Sequence, residues 1–123
     1  MPPRTGRDYL VDKYGDRLVD RLDDLRESCG EAAELVADGR ECLLTNWRQQ
    51  RAAEAVLGRI GETASHLPSE FREEYPAQPW QQIIGVRIIT DHKYRALDYN
   101  QVWISLTQAA ELKRYVEEIL GCP

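Results

Sequence analysis

A chain of 123 residues with 42% hydrophobic and 30% charged side chains can bury one core and is too apolar to remain disordered. Its 16 Lys/Arg against 21 Asp/Glu give a formal charge of −5, which excludes wholesale attraction to a phosphate backbone and confines any nucleic-acid contact to a local patch. No apolar run approaches the ~20 residues that span a bilayer, and MPPRTGRDYL carries no apolar core of signal-peptide length; the expectation is a cytoplasmic protein without membrane contact.

The first segment is helical by pattern. Leu10, Tyr14, Leu18, Leu22 and Leu25 recur at spacings of four and three. Thr5 suits an N-cap. Cys29-Gly30 is expected to end or interrupt this helix, and Glu31–Asp38 reads as a second, short one, closed by the turn signal Asp38-Gly39. Cys42-Leu43-Leu44-Thr45 is too short to assign. A long helix follows from about Asn46 to His66, with Ala52, Ala53, Val56, Leu57, Ile60 and Ala64 as its apolar stripe. Gly58 and Gly61 lie within it; each costs about 1 kcal/mol relative to Ala, so close helix approach is the expected return. Pro68-Ser69 starts a short helix, Glu70–Tyr75, anchored by Phe71, and Tyr75–Pro79 is a proline-restrained turn. Trp80 opens the next segment as a core anchor, with Ile83, Ile84, Val86 and Ile88 as core candidates. After Asp98 or Asn100 as N-cap, Val102, Leu106, Ala109, Leu112, Val116 and Ile119 mark a last helix that Gly121 stops. Four or five helices with short connections predict one domain over residues 1–123, an all-α up-and-down bundle.

The three cysteines have no C-x-x-C spacing, and the two histidines lie far apart outside any ligand cluster, so neither a disulfide framework nor a metal or other cofactor is indicated. His66 reads as an exposed helix-terminal residue, and Glu62 carries no assigned chemistry.

One window is positive. Trp80–Arg95 holds Arg87, Lys93 and Arg95 against Asp91, a formal +2 in a chain whose other stretches are all negative. Arg87 and Asp91 are one helical turn apart and would make an ordinary surface ion pair. Arg87 and His92, five apart, stand about 140° apart on an unbroken helix and share no face. They meet only if the helix ends near Thr90, or if a second subunit brings its own pair to the same cleft. A guanidinium beside an imidazole suits RNA cleavage without metal. Imidazole titrates near neutrality and takes the proton of a 2′-hydroxyl, while guanidinium holds phosphate in two places.

The block RIGETASHLPSEFREEYPAQPWQQIIGVRIITDHKY carries a more specific pattern. It runs through Gly61-Glu62, Leu67-Pro68, Phe71-Arg72, Tyr75-Pro76, Pro79-Trp80 and Ile83-Ile84-Gly85-x-Arg87 to an Arg-x4-His-x-Tyr motif at Arg87, His92 and Tyr94. This block resembles the HepT-like branch of the HEPN superfamily. The resemblance implies a helical bundle that forms a homodimer, with two Arg/His pairs facing one cleft. It implies a metal-independent endoribonuclease toxin acting on RNA, paired with a nucleotidyltransferase antitoxin of the MNT type that attaches AMP to Tyr94. Lys93 and Arg95 would then steer RNA inward. The chain departs from the family pattern at Ile88, where a polar residue, often Asn, is usual. Two rival expectations follow: a non-catalytic helical module that binds a nucleotidyltransferase, and a plain helical dimerisation module in which Tyr94 is an ordinary bundle-end tyrosine.

Overall fold

The computed structural model describes residues 4–90 and 97–122, with the side chains of 88–90 also outside the description. All regular structure among the described residues is helical: α1 (Arg7–Tyr14), α2 (Asp16–Ala37), α3 (Arg40–Thr45), α4 (Trp47–Ser65), α5 (Ser69–Glu74), α6 (Trp80–Thr90) and α7 (Tyr99–Leu120). Four of these make the bundle. α2 and α4 run antiparallel, as the pairs Asp38–Gln49 at one end, Glu31–Arg59 midway and Arg21–His66 at the other end require. α7 returns antiparallel to α2, tied by Arg26–Glu117 at 2.9 Å. α6 packs mainly on α4. The short α1, α3 and α5 close the bundle's ends, which is why seven helices stand where four or five were expected.

The first break falls elsewhere than predicted. Gly15, at φ +93°, separates α1 from α2, while Cys29-Gly30 lies inside an unbroken α2. Cys29 and Ala32 are fully buried, and the side chain of Lys113 in α7 passes 3.8 Å from where a Gly30 β-carbon would sit. Packing on α7 outweighs the local cost of glycine. Thr5 does not cap α1 either; Gly6 occupies that position without a side-chain bond, and its N–H donates to Ile119 at the end of α7. Elsewhere the boundaries follow local chemistry. The Asn46 and Asp98 side chains accept from the N–H groups of Arg48 and Asn100, and Gly121 takes the left-handed conformation that ends α7.

The core runs continuously through the apolar stripes of α2, α4 and α7. At the α5 end it becomes aromatic: Phe71 meets Tyr14 edge-on at 5.7 Å and lies 5.8 Å from Trp80, centroid to centroid. Trp80 is buried as predicted, and its indole N–H donates to Tyr75 O at 2.7 Å. Cys29 is equally inert, its thiol pushed up to about 12 by burial. No helix among the described residues is long and apolar enough to cross a membrane.

Candidate functional site

Arg87 lies in the last turn of α6, on the side that meets α4. The meeting is backbone to backbone. A β-carbon on Gly61 would stand 2.7 Å from Arg87 N and 2.9 Å from Ile84 O, closer than real β-carbons come. Gly61 therefore sets the depth at which α6 sits on α4, as the sequence suggested for this position.

Glu62 is the residue whose role was not foreseen. One carboxylate oxygen accepts from Arg87 Nη1 at 3.1 Å, and the other pairs with His66 Nε2 at 3.0 Å. The two hydrogen bonds, His66's first, hold the Glu62 carboxyl below its ordinary value. All three side chains are about half exposed, so the pairs contribute little to stability. The i, i+4 spacing of Glu62 and His66 was legible; that a helix 25 positions on supplies the third member was not. His66 does end α4 as expected, but its ring is engaged by Glu62.

His92, Lys93, Tyr94 and Arg95 lie outside the described residues, as does the Ile88 side chain. Tyr99, at the start of α7, lies beside α4: it donates its hydroxyl to Glu54 at 3.0 Å and accepts from Arg51 at 3.1 Å. Asp98 provides the cap, and Asn100 accepts instead from Arg40. Among the described residues no group of His, Cys, Asp and Glu is placed to hold a metal ion.

A groove of about 250 Å³ separates α6 from α7. Its apolar lining includes Leu57 and Ile60 of α4, Ile83 and Val86 of α6, and Ala109 and Leu112 of α7. Ile83, Ile84 and Val86 of α6 are partly buried and pack against the core.

The family model described as Ribonuclease HepT-like matches residues 25–119. "Putative RNase MJ0125" of Methanocaldococcus jannaschii is 34% identical over 123 residues, covering 98% of this chain and 95% of the relative. "Putative RNase TTE0752" of Caldanaerobacter subterraneus subsp. tengcongensis is 39% identical over 71 residues; that match covers 57% of this chain and spans 63% of the relative's length. "Probable ribonuclease HepT" of Thermococcus cleftensis is 28% identical, with 65% of this chain and 77% of the relative covered. No solved structure matches the chain.

Proposed function

The chain belongs to the HepT-like ribonuclease family, and from that premise we propose that it is a metal-independent endoribonuclease toxin acting as a homodimer, with Arg87 and His92 as its catalytic pair. The observation that carries this reading is Arg87 itself: a half-exposed guanidinium held at a fixed depth by Gly61 and oriented by Glu62. A cation so placed can bind a scissile phosphate and offset charge at the pentavalent transition state. His92 takes the proton of the neighbouring 2′-hydroxyl. The 2′-oxygen then attacks phosphorus, the bond to the 5′-oxygen breaks, and that oxygen leaves with a proton from the second subunit's imidazole or from water. The products are a 2′,3′-cyclic phosphate and a free 5′-hydroxyl. Lys93 and Arg95 add local attraction in a molecule of charge −5.

The groove between α6 and α7 supports dimerisation, because a second copy laid there would bring another α6, and with it another Arg87, towards the first. Tyr94, two residues after His92, is the control point. AMP attached there by an MNT-type nucleotidyltransferase adds charge that repels RNA phosphate.

The deciding assay uses purified protein in excess chelator on single-stranded RNA. Wild type gives cyclic-phosphate ends, and His92→Ala gives none while remaining folded and dimeric. Cleavage retained by His92→Ala overturns the assignment. Ile88, in place of the usual polar residue, favours a second reading: a non-catalytic module that binds the transferase. That reading predicts a stable complex with the transferase and no cleavage at any concentration. Co-expression with an MNT-type nucleotidyltransferase, followed by intact-mass measurement, reports AMP on Tyr94 directly.

A further inference from the structure

Glu62 divides its carboxylate between a partner at the end of its own helix and one on α6. An arginine that meets a carboxylate alone commonly takes both oxygens, in two parallel bonds, fork to fork. Here one oxygen accepts from Arg87 Nη1 at 3.1 Å, and the other lies 3.0 Å from His66 Nε2. Glu62 therefore holds Arg87 by a single bond. Both partners keep the carboxyl ionised, and an ionised carboxylate only accepts. The proton of the His66 bond thus sits on Nε2, whether the ring is neutral or charged.

The three side chains are exposed, but each stands on a fixed backbone. His66 caps α4: its N–H donates to Thr63 O at 3.1 Å, its carbonyl accepts from Arg21 Nη1 of α2 at 2.9 Å, and Leu67 beside it is buried. Glu62 lies one helical turn before it, the spacing at which helical side chains meet. The Arg87 backbone is seated against Gly61, the residue next to Glu62. The imidazole thus starts within reach of one Glu62 oxygen and the guanidinium within reach of the other.

A phosphate that binds Arg87 competes with Glu62 for the same guanidinium. Resting on the ribonuclease reading of Arg87, we propose that His66 is a positioning residue: by occupying one Glu62 oxygen it keeps Glu62 from closing on Arg87 with both, and so limits how strongly Glu62 competes with the RNA phosphate. RNA then displaces one carboxylate bond rather than two. His66 touches no substrate in this role and transfers no proton. It only donates a hydrogen bond, which an amide at the same position also does.

The test is a double-mutant cycle on the full chain, read by anisotropy with a 12-nucleotide 2′-O-methyl RNA, which lacks the nucleophile and stays intact. His66→Ala weakens binding roughly two- to fivefold, the size of one exposed charged pair. His66→Gln, whose amide can reach the same oxygen, restores it. In a Glu62→Gln background His66→Ala changes nothing, because no carboxylate is left to close on Arg87. Steady-state cleavage of natural RNA shows the same pattern in KM, with the kcat of His66→Ala held. The cycle seen in binding, without cleavage by wild type, sustains the positioning role and removes the ribonuclease reading. Equal affinity of His66→Ala and wild type overturns the proposal, as does a loss that persists in the Glu62→Gln background. A fall in kcat that His66→Gln does not rescue makes His66 a proton donor and overturns it too. A wild type that binds no RNA overturns it together with the ribonuclease reading.

Discussion

Gly61 of α4 and Arg87 of α6 touch through their backbones, and the gap between them has no room for a methyl group: a β-carbon would lie 2.7 Å from Arg87 N and 2.8 Å from Arg87 Cβ. The residue proposed to bind phosphate is thus positioned by the absence of a side chain on the neighbouring helix. Gly61→Ala must push α6 outward, since the obstructing atoms include backbone that cannot rotate aside. Overpacking of this kind costs about 1–3 kcal/mol, set against up to about 1 kcal/mol gained in helix propensity. The expected result is a lower thermal midpoint with a larger proportional loss of RNA cleavage, because the displaced element carries Arg87. A variant as stable and active as wild type would show that the contact sets nothing.

The sequence announced this contact only in part. Periodicity marked α4, α7 and their buried stripes, since each apolar face repeats at helical spacing for more than three turns. It failed at Gly15 and Gly30 because a glycine reads alike whether it breaks a helix or packs inside one. Only the partner across the gap, α7 at Gly30, decides, and periodicity within one segment does not contain it. The same limit hid Glu62, whose partners lie 4 and 25 positions away. Trp80 was legible as a core anchor, and the structure adds the partner of its buried indole N–H, the Tyr75 carbonyl five residues earlier.

Glu62 orients Arg87, so its removal separates positioning from charge. Glu62→Gln keeps the shape and loses the charge-assisted bond. The guanidinium then samples other directions, and kcat falls roughly ten- to hundredfold, the cost of modest misplacement, while KM holds or falls because an acid near the phosphate is gone. Steady-state cleavage of a short RNA measures both. A rise in KM with kcat intact would assign Glu62 to substrate contact. The tether also has an acid limit. The carboxyl is held below its ordinary 4.5 by His66 and Arg87, so the bonds are fully present above that value and are lost as pH falls through the lowered one.

Arg87→Lys retains the positive charge and removes the planar fork. Two-point recognition of phosphate is a property of guanidinium, so lysine does not rescue. Both Arg87→Lys and Arg87→Ala lose about 10²–10³ in kcat, the size seen when a transition-state donor is removed. Circular dichroism and sizing establish that each remains folded. Wild-type turnover in Arg87→Lys would mean that charge alone suffices and that the fixed geometry at Gly61 is incidental to catalysis.

The last prediction concerns the α5 end of the bundle, where one carboxylate fastens α5 to α1. Glu74 accepts from the hydroxyls of Tyr9 and Tyr14 and pairs with Lys13 at 2.9 Å. Burial pushes its carboxyl up, but the bonds from Tyr14, Tyr9 and Lys13 outweigh this and hold it below the ordinary range. The Tyr14 hydroxyl moves the other way, pushed up to about 12 by burial and by the Glu74 charge. Lys13 is too exposed to matter much, so the two tyrosines carry the interaction. Glu74→Gln loses the charge on the shared acceptor and costs about 1–2 kcal/mol at neutral pH. A depressed carboxyl stabilises the fold fully above 4.5 and progressively less below it. Urea unfolding at several pH values should therefore show the wild-type advantage constant from pH 7 to 5 and shrinking towards pH 3. An advantage that survives unchanged at pH 3 would mean that the tyrosines gain nothing from the charge.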